Sequence, residues 1–282
     1  MIVNADDFGI SEAVNEAVIR AYQEGVLTTA SLMVTGDAFD EAVKLAGENP
    51  GLGVGIHLVT VVGRSVLPHS EIPSLVDRDR NFSNNPTAAG LKYFFSPQAR
   101  RELRKELAAQ FERFDSTRLP LSHIDGHLHL HAHPVIFNAA LELGEKYGCR
   151  RIRVPREELR LALEFDRENA AQKRVHAALF GGLARWMKHT LKSRGFTFAE
   201  RVYGNLQSGR MNERYFLYLL DRLSAETNEI YFHPALYRER ARNDKERQNV
   251  VEFEALTSST VKRRIGELGI KLTNYVEIEA NR

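Results

Sequence analysis

The chain has 282 residues, of which 43% are hydrophobic, a length that suits one α/β barrel or two smaller domains. Lys and Arg number 39 against 37 Asp and Glu, so the net charge of +2 is too balanced for a dedicated nucleic-acid binder, although the pI of about 8.6 allows local basic patches. The one cysteine, Cys149, excludes an internal disulfide and any site built from several cysteines.

Short runs rich in β-branched residues alternate with longer stretches of helical periodicity, the pattern of a parallel sheet with crossover helices. The predicted strands are 1–5, 28–34, 52–58, 120–125, 150–154, 228–233 and 270–275. The predicted helices are 11–25, 37–48, 98–114, 134–147, 171–194, 211–224 and 255–267. Ser11 and Asp37 are expected to begin the first two helices and Pro134 the fourth.

The series of βα units favours a single α/β domain over residues 1–282, a (β/α) barrel that is irregular or incomplete. A doubly wound open sheet is the competing topology. Residues 62–96 are rich in Pro, Ser, Asn and Gly, and they predict a long irregular insertion, for which a lid over the site is one candidate role.

Polar side chains stand at the carboxyl ends of four predicted strands, where the active site forms in either topology. Asp6 and Asp7 follow the first strand, and His57 lies near the end of the third in GVGIHLV. The fourth strand ends in HIDGHLH, and the sixth ends at His233 in EIYFHPA. Four separate strands therefore deliver carboxylate or imidazole to one edge of the sheet, which predicts a metal or catalytic site there.

The segment SHIDGHLHLHAHP, residues 122–134, places five histidines and an aspartate at alternate positions, which on an extended strand all face one side. The first and last would lie roughly 33 Å apart, whereas nitrogen ligands lie about 2.0 to 2.2 Å from a zinc-like ion. One ion can therefore use only one or two of them, and its other ligands must come from elsewhere in the chain.

Each of these candidate site residues could also have a purely structural role, with no part in metal binding or catalysis. Asp6 and Asp7 are able to cap the following helix, although two adjacent buried aspartates repel one another unless a cation lies nearby. A lone histidine such as His57 is more often a hydrogen-bonded core residue than a ligand, and His233 before a proline is equally compatible with a structural role. Three histidines lie outside the strand ends and are expected at the surface: His69, His176 and His189.

The segments IVNADDFG, GIHL, HIDGHLHLHAHP and YFHPA, in this order, resemble the YdjC family of carbohydrate deacetylases over nearly the whole chain. SLMVTGDAFDEAV, NPGLGVGIHLV, IPSLVD and GLKYFFSP are most similar to its hopanoid-biosynthesis-associated branch, HpnK. The resemblance implies a barrel of the polysaccharide-deacetylase or glycoside hydrolase-deacetylase type, which removes an acetyl group from an N-acetylated amino sugar with a divalent metal. The HpnK branch implies an N-acetylglucosaminyl hopanoid lipid as substrate.

Carried over to this sequence, the resemblance makes Asp7, His57 and His127 the metal ligands. Asp6 becomes the general base and His233 the group that protonates the departing sugar nitrogen. This division suits amide hydrolysis, because an ion with three protein ligands keeps open positions at which to polarise a carbonyl and acidify a water. Two imidazoles and a carboxylate favour Zn²⁺, Co²⁺, Mn²⁺ or Fe²⁺, whereas the resemblance implies magnesium.

Other residues receive supporting roles. Asp125 is predicted to orient an imidazole of the metal site, and His129 is the nearest candidate among the later histidines to line the pocket. His123, earlier on the strand, is expected to be packed. Arg153, in RIRVPRE, either hydrogen-bonds sugar hydroxyls or forms a salt bridge at the barrel rim.

The stretch 172–194 combines apolar residues at helical spacing with six lysines and arginines. It is expected to pack on the barrel with a solvated basic face, and the alternative is peripheral contact with an anionic membrane. No signal peptide or apolar membrane span is predicted, so a cytoplasmic protein is expected, with the inner face of the membrane as its site if that contact is made.

Other functions share part of this pattern. A glycosidase needs two carboxylates about 5 to 9.5 Å apart across a sugar, which the adjacent Asp6 and Asp7 do not suggest. A deacetylase of free chitooligosaccharide or a different metal-dependent hydrolase would use the same ligands. A non-enzymatic carbohydrate-binding protein would need no base.

Overall fold

A computed structural model describes residues 1–237 and 243–280. Its centre is a sheet of six parallel strands in the order β4-β3-β2-β1-β6-β5. The strands are β1 (Ile2–Phe8), β2 (Thr29–Leu32), β3 (Gly53–Leu58), β4 (Ile124–Gly126), β5 (Arg201–Tyr203) and β6 (Asn228–Phe232). Strands that are consecutive in the chain are neighbours in the sheet, and β6 returns to pair with β1, as in a closed barrel. The exception is the seam between the two edge strands, β4 and β5, which do not pair with each other. A doubly wound sheet reverses its strand order instead, so the sheet is that of a curled, incomplete (β/α) barrel.

The seam is partly bridged by the predicted strand 150–154, which forms only isolated parallel bridges, Ile124↔Ile152 and Arg151↔Thr197. The backbone N–H of Val202 on β5 donates to the carbonyl of Arg156, 3.0 Å away. The chain that follows 150–154 is therefore hydrogen-bonded to β5, on the far side of the seam. The three-residue β5 is too short to show a period of two, so it was not among the predicted strands. The predicted strand 270–275 is also wrong. The amino group of Met1 donates to the carbonyl of Lys271 and the N–H of Thr273 donates to the carbonyl of Met1, but the segment forms no strand.

Helices cover the outside of the sheet. They are α1 (Glu12–Glu24), α2 (Phe39–Glu48), α3 (Pro86–Phe95), α4 (Pro97–Ser116), α5 (Pro134–Lys146), α6 (Leu159–Phe165), α7 (Ala170–Ser193), α8 (Glu213–Leu220), α9 (Asp244–Thr257), α10 (Ser259–Glu267) and α11 (Tyr275–Ala280). Ser11 caps α1 and Pro134 opens α5 as predicted, whereas α2 begins at Phe39 without a side-chain cap, so the prediction for Asp37 is wrong. No helix within the described ranges is both long and apolar enough to cross a bilayer.

The insertion 62–96 is not irregular throughout, because α3 occupies its last third. The Asn85 side chain accepts a hydrogen bond from the backbone of Ala88, and Pro86 takes the first turn. Both are ordinary signals of a helix start, which the composition of the surrounding loop obscured.

Candidate metal centre and active site

Three predicted ligands converge at the carboxyl ends of the strands. His127 Nδ1 lies 3.0 Å and His57 Nε2 3.4 Å from Asp7 Oδ1. Ligand atoms of all three residues lie within 4.8 Å of one another. Burial opposes ionisation of Asp7, but hydrogen bonds from His127 and His57 hold the pKa of that carboxyl well below its ordinary value. An ionised carboxylate with two converging imidazole nitrogens fits a divalent cation.

The end of β1 is shaped so that two successive aspartates serve one site. In a regular strand Asp6 and Asp7 would face opposite sides of the sheet. The pairing of β1 with β2 is irregular between Ala5 and Phe8, and Asp7 adopts a left-handed backbone with φ 66°. Aspartate tolerates this conformation better than most residues. Each of the two carboxylates consequently has an oxygen within 4.8 Å of a ring nitrogen of His57.

Asp125 holds the ring of His57. The two residues are register partners on β3 and β4, and His57 Nδ1 lies 2.7 Å from Asp125 Oδ1. Burial alone would lower the pKa of His57, but the charge and hydrogen bond of Asp125, with the contact to Asp7, raise it to about 10. Asp125 therefore orients an imidazole, that of His57, and leaves its Nε2 directed towards Asp7.

Metal binding should be coupled to proton release at this histidine. A pKa raised to about 10 means that His57 is protonated at neutral pH without metal, and a cation must displace that proton. Apparent metal affinity is therefore expected to rise by about tenfold per pH unit through the neutral range, and to level off as the pH passes the pKa. Calorimetry in buffers of different ionisation enthalpy should show about one proton released per ion at pH 7. Binding without proton release would contradict this assignment.

The guanidinium of Arg153, which is fully buried, lies next to this group of candidate ligands. Its two terminal nitrogens each lie 2.8 Å from an oxygen of Asp6. Asp125 Oδ2 is 2.9 Å away and Glu229 Oε1 2.7 Å away. Because carboxylates take its donors and no surface is exposed, Arg153 cannot contact a sugar, and that alternative is wrong. The ion-pair alternative is correct, although the pairs are buried within the barrel and not at its rim.

His233, at the end of β6, is held by Glu252 on α9. The Glu252 carboxylate accepts the backbone N–H of His233 and lies 3.8 Å from its Nδ1. Burial would lower the pKa of His233, but the hydrogen bond and charge of Glu252 raise it to about 9.

Glu252 and Glu229 were not found from the sequence, although two signals were present. The series Glu229, Tyr231 and His233 places polar residues at every second position along β6 and directly after it, a pattern that marks one face of a strand. The second signal marks the start of α9, the helix that carries Glu252. Asn243 caps this helix and its side chain also donates to the side chain of Glu246, and the Asn-x-x-Glu spacing of the two is visible in the sequence.

The row of histidines breaks up after Gly126, where β4 ends. Leu128 and His129 both adopt left-handed backbone, with φ 52° and 55°, so the alternation of faces stops. His129 lines the cleft, with Nε2 2.9 Å from the hydroxyl of Tyr231. The remaining three have local partners: His123 stacks on Tyr275, His131 contacts the carbonyl of Arg153, and His133 caps α5.

A cleft of about 1050 Å³ lies over this site. Its floor contains five polar side chains: Asp6, His57, His127, Tyr231 and His233. Apolar side chains from α3 and α7 line its sides: Leu91, Phe94, Phe95, Leu179, Phe180 and Leu183. The loop 205–210 contributes polar groups, among them Asn205, Gln207 and Ser208. The cleft therefore offers polar and apolar surfaces to one ligand.

The fold and the site together define an incomplete (β/α) barrel with a carboxylate–histidine cluster under an open cleft. The family model for YdjC-like proteins matches residues 1–267, and the chain belongs to that family. This confirms the family resemblance, while the HpnK branch stays a prediction.

Two curated relatives are similar along nearly their whole length. A carbohydrate deacetylase of Geobacillus stearothermophilus is 34% identical over 280 residues, which cover 98% of this chain and 96% of that protein. A chitooligosaccharide deacetylase of Salmonella paratyphi B is 30% identical over 290 residues, covering 99% and 98%. Among solved structures, an Enterococcus faecalis V583 protein described as a cellobiose-phosphate cleavage protein superposes with a TM-score of 0.71 at 25% identity, covering 98% of this chain and 97% of that one.

Proposed function

We propose that the protein is a metal-dependent N-deacetylase of an N-acetylated amino sugar, with residues 1–282 as one catalytic domain. The observation that carries the proposal is the convergence of Asp7, His57 and His127 beside a cleft whose floor also holds Asp6 and His233. The names of the two curated relatives support it.

A divalent cation held by Asp7, His57 and His127 would polarise the acetyl carbonyl and acidify a water beside it. Asp6 accepts the proton of the attacking water. Asn4 Nδ2, 2.7 Å from Asp6 Oδ1, and the two nitrogens of Arg153 fix the direction of that carboxylate. His233 then donates its proton to the sugar nitrogen as the carbon–nitrogen bond breaks, and Glu252 keeps its imidazole charged until that step.

Within this class we propose a lipid-linked sugar, an N-acetylglucosaminyl hopanoid, as substrate. The apolar sides of the cleft support an aglycone of that kind, and the polar loop 205–210 suits the sugar. Free chitooligosaccharide is the alternative, supported by the name of the Salmonella relative. His129, with Tyr231, is the proposed sugar contact, since both line the cleft beside the catalytic groups.

The test is acetate release by metal-free protein and after addition of single metals, with a lipid-linked N-acetylglucosamine and chitobiose as substrates. Activity should depend on added metal, and comparison of Mg²⁺ with Zn²⁺, Co²⁺ and Mn²⁺ separates the magnesium implied by resemblance from the softer ions favoured by the ligands. Burial of about 60 Å² of aglycone would raise kcat/KM about tenfold over chitobiose. Undiminished activity without metal would contradict the mechanism, and equal kcat/KM values would contradict the lipid substrate.

The protonated form of His233 should set the alkaline limit of activity. Because its pKa is raised to about 9, the imidazole is charged at neutral pH, and kcat is expected to fall as the pH rises through that value. Glu252→Gln removes the charge that raises the pKa, so the alkaline limit should move to lower pH while KM stays unchanged. An unmoved limit would show that another group titrates there.

The predicted membrane contact through 172–194 stays part of the proposal, with the inner face of the cytoplasmic membrane as the expected location. The apolar residues of 172–194 differ in how far they are exposed to solvent. Met187 is buried and Trp186 packs against Phe137 with ring centroids 4.9 Å apart, whereas Val175 and Leu179 are 66% and 57% exposed. The N-terminal half of α7 is therefore the part that presents apolar side chains outwards.

A further inference from the structure

The helix α3 leaves most of its large apolar side chains uncovered. Leu91, Phe94 and Phe95 are 57%, 45% and 71% exposed, and only Tyr93 among its large residues is buried. Leu128, which follows the candidate ligand His127, is 51% exposed and lines the same cleft as these α3 residues. Clusters of exposed large apolar residues mark interaction surfaces on proteins.

The N-terminal half of α7 lies across the cleft from α3. Leu179 lines the cleft, and Val175, one turn earlier, is exposed outside it. Phe95, which also lines the cleft, and Val175, which lies outside it, thus present apolar side chains on either side of the opening, and their exposed fractions of 71% and 66% leave apolar area facing solvent.

The charges on the two helices are all of one sign. Neither α3 nor α7 contains an aspartate or a glutamate. On α7, Lys173 is paired with Asp166 at 3.2 Å and Lys188 donates to the carbonyl of Glu200. Three further basic residues of α7 are exposed, and the described part of the chain supplies no ion-pair partner for them: Arg174, Arg185 and Lys192. A surface with uncovered apolar residues and unopposed positive charge complements an anionic bilayer.

We infer that α3 and α7 together form a docking surface for an anionic lipid bilayer, with the active-site cleft opening between them. Leu91, Phe94, Phe95 and Val175 enter the headgroup region, and the basic residues of α7 meet lipid phosphates. The inference rests on the proposed function only in placing a lipid-linked substrate in the cleft, because docking itself requires no catalysis.

The experiment is co-sedimentation of the full chain with vesicles of phosphatidylcholine alone or mixed with phosphatidylglycerol. The unmodified protein should bind the anionic vesicles and prefer them over the neutral ones. The triple variant Arg174→Glu, Arg185→Glu, Lys192→Glu should lose affinity by about a hundredfold or more, since each basic residue contributes roughly fivefold near an anionic surface. Phe95→Ser should also weaken binding without changing the circular dichroism spectrum.

A matched control carries the same change of charge on other helices: Arg20→Glu, Lys44→Glu and Arg263→Glu. It should bind as the unmodified protein does. Equal loss in both triple variants would show a general charge effect and overturn the proposal, as would an unmodified protein that binds neither vesicle. If Phe95→Ser dissociates a dimer in light scattering and leaves vesicle binding intact, the surface is an interface between copies of the chain.

Acetate release from soluble chitobiose separates this inference from the proposed function. The α7 triple variant should keep that activity, because its three side chains do not line the cleft. Vesicle binding without deacetylation by any form of the protein would overturn the proposed function alone. Deacetylation without vesicle binding would overturn the docking surface, and with it the membrane contact through 172–194, but would leave the proposed deacetylase activity intact.

Discussion

Replacement of Asp7 by asparagine is expected to abolish metal binding and deacetylation together. Asparagine has nearly the same size and also tolerates left-handed backbone, so the turn at φ 66° should persist. The change removes the negative charge of the side chain that lies next to both His57 and His127, and a neutral amide oxygen is a weaker ligand for a cation. Metal affinity should therefore fall by more than the roughly 10- to 100-fold that loss of an outer partner costs.

Asp125→Asn is the matched control, because it alters the partner of His57 and keeps all three ligands. It should lower metal affinity only within that outer-partner range, about 10- to 100-fold. Metal content by elemental analysis and acetate release with saturating metal distinguish the two variants. An Asp7→Asn protein that retains metal and activity would exclude Asp7 as a ligand.

Asp6→Asn is expected to lower kcat by a factor of about 10² to 10⁴ while metal binding remains, because only the proton acceptor is lost. The amide still occupies the site above Arg153, which keeps Asp125 and Glu229 as partners. Single-turnover acetate release and metal titration on the same preparation measure the two properties.

Asp6→Asn also alters the buried ion pair between Asp6 and Arg153, and this structural effect needs its own control. Glu229→Gln removes a different carboxylate from Arg153, and Glu229 does not line the cleft. It should disturb the buried charges to a comparable extent but reduce kcat far less than Asp6→Asn. Equal losses in the two variants would mean that Asp6 acts only as a structural partner of the arginine.

The positions of the candidate ligands were predictable because they depend on a general property of parallel sheets. Strand ends of one direction meet at one edge, so Asp7, His57 and the fourth strand had to lie close once the strands were recognised. The choice of His127 within the histidine row came from the family resemblance, and the structure brings that residue to Asp7.

The partners of those groups were not predictable to the same degree. Arg153 pairs with three carboxylates from three strands, and nothing local to RIRVPRE distinguishes this from a sugar contact. The left-handed pair Leu128 and His129 carries no glycine that would have signalled the turn. Both features are set by tertiary packing, which sequence periodicity does not contain.

The ladder between β3 and β4 has a consequence for the folding of the protein. His57 and Asp125 are opposite one another in that ladder, as Ile56 and Ile124 are beside them. A slip of one residue would turn either side chain to the other face of the sheet and separate the pair. In the proposed metal site, high-affinity binding thus requires this strand alignment, and molecules with a misaligned barrel are expected as a fraction that binds no metal.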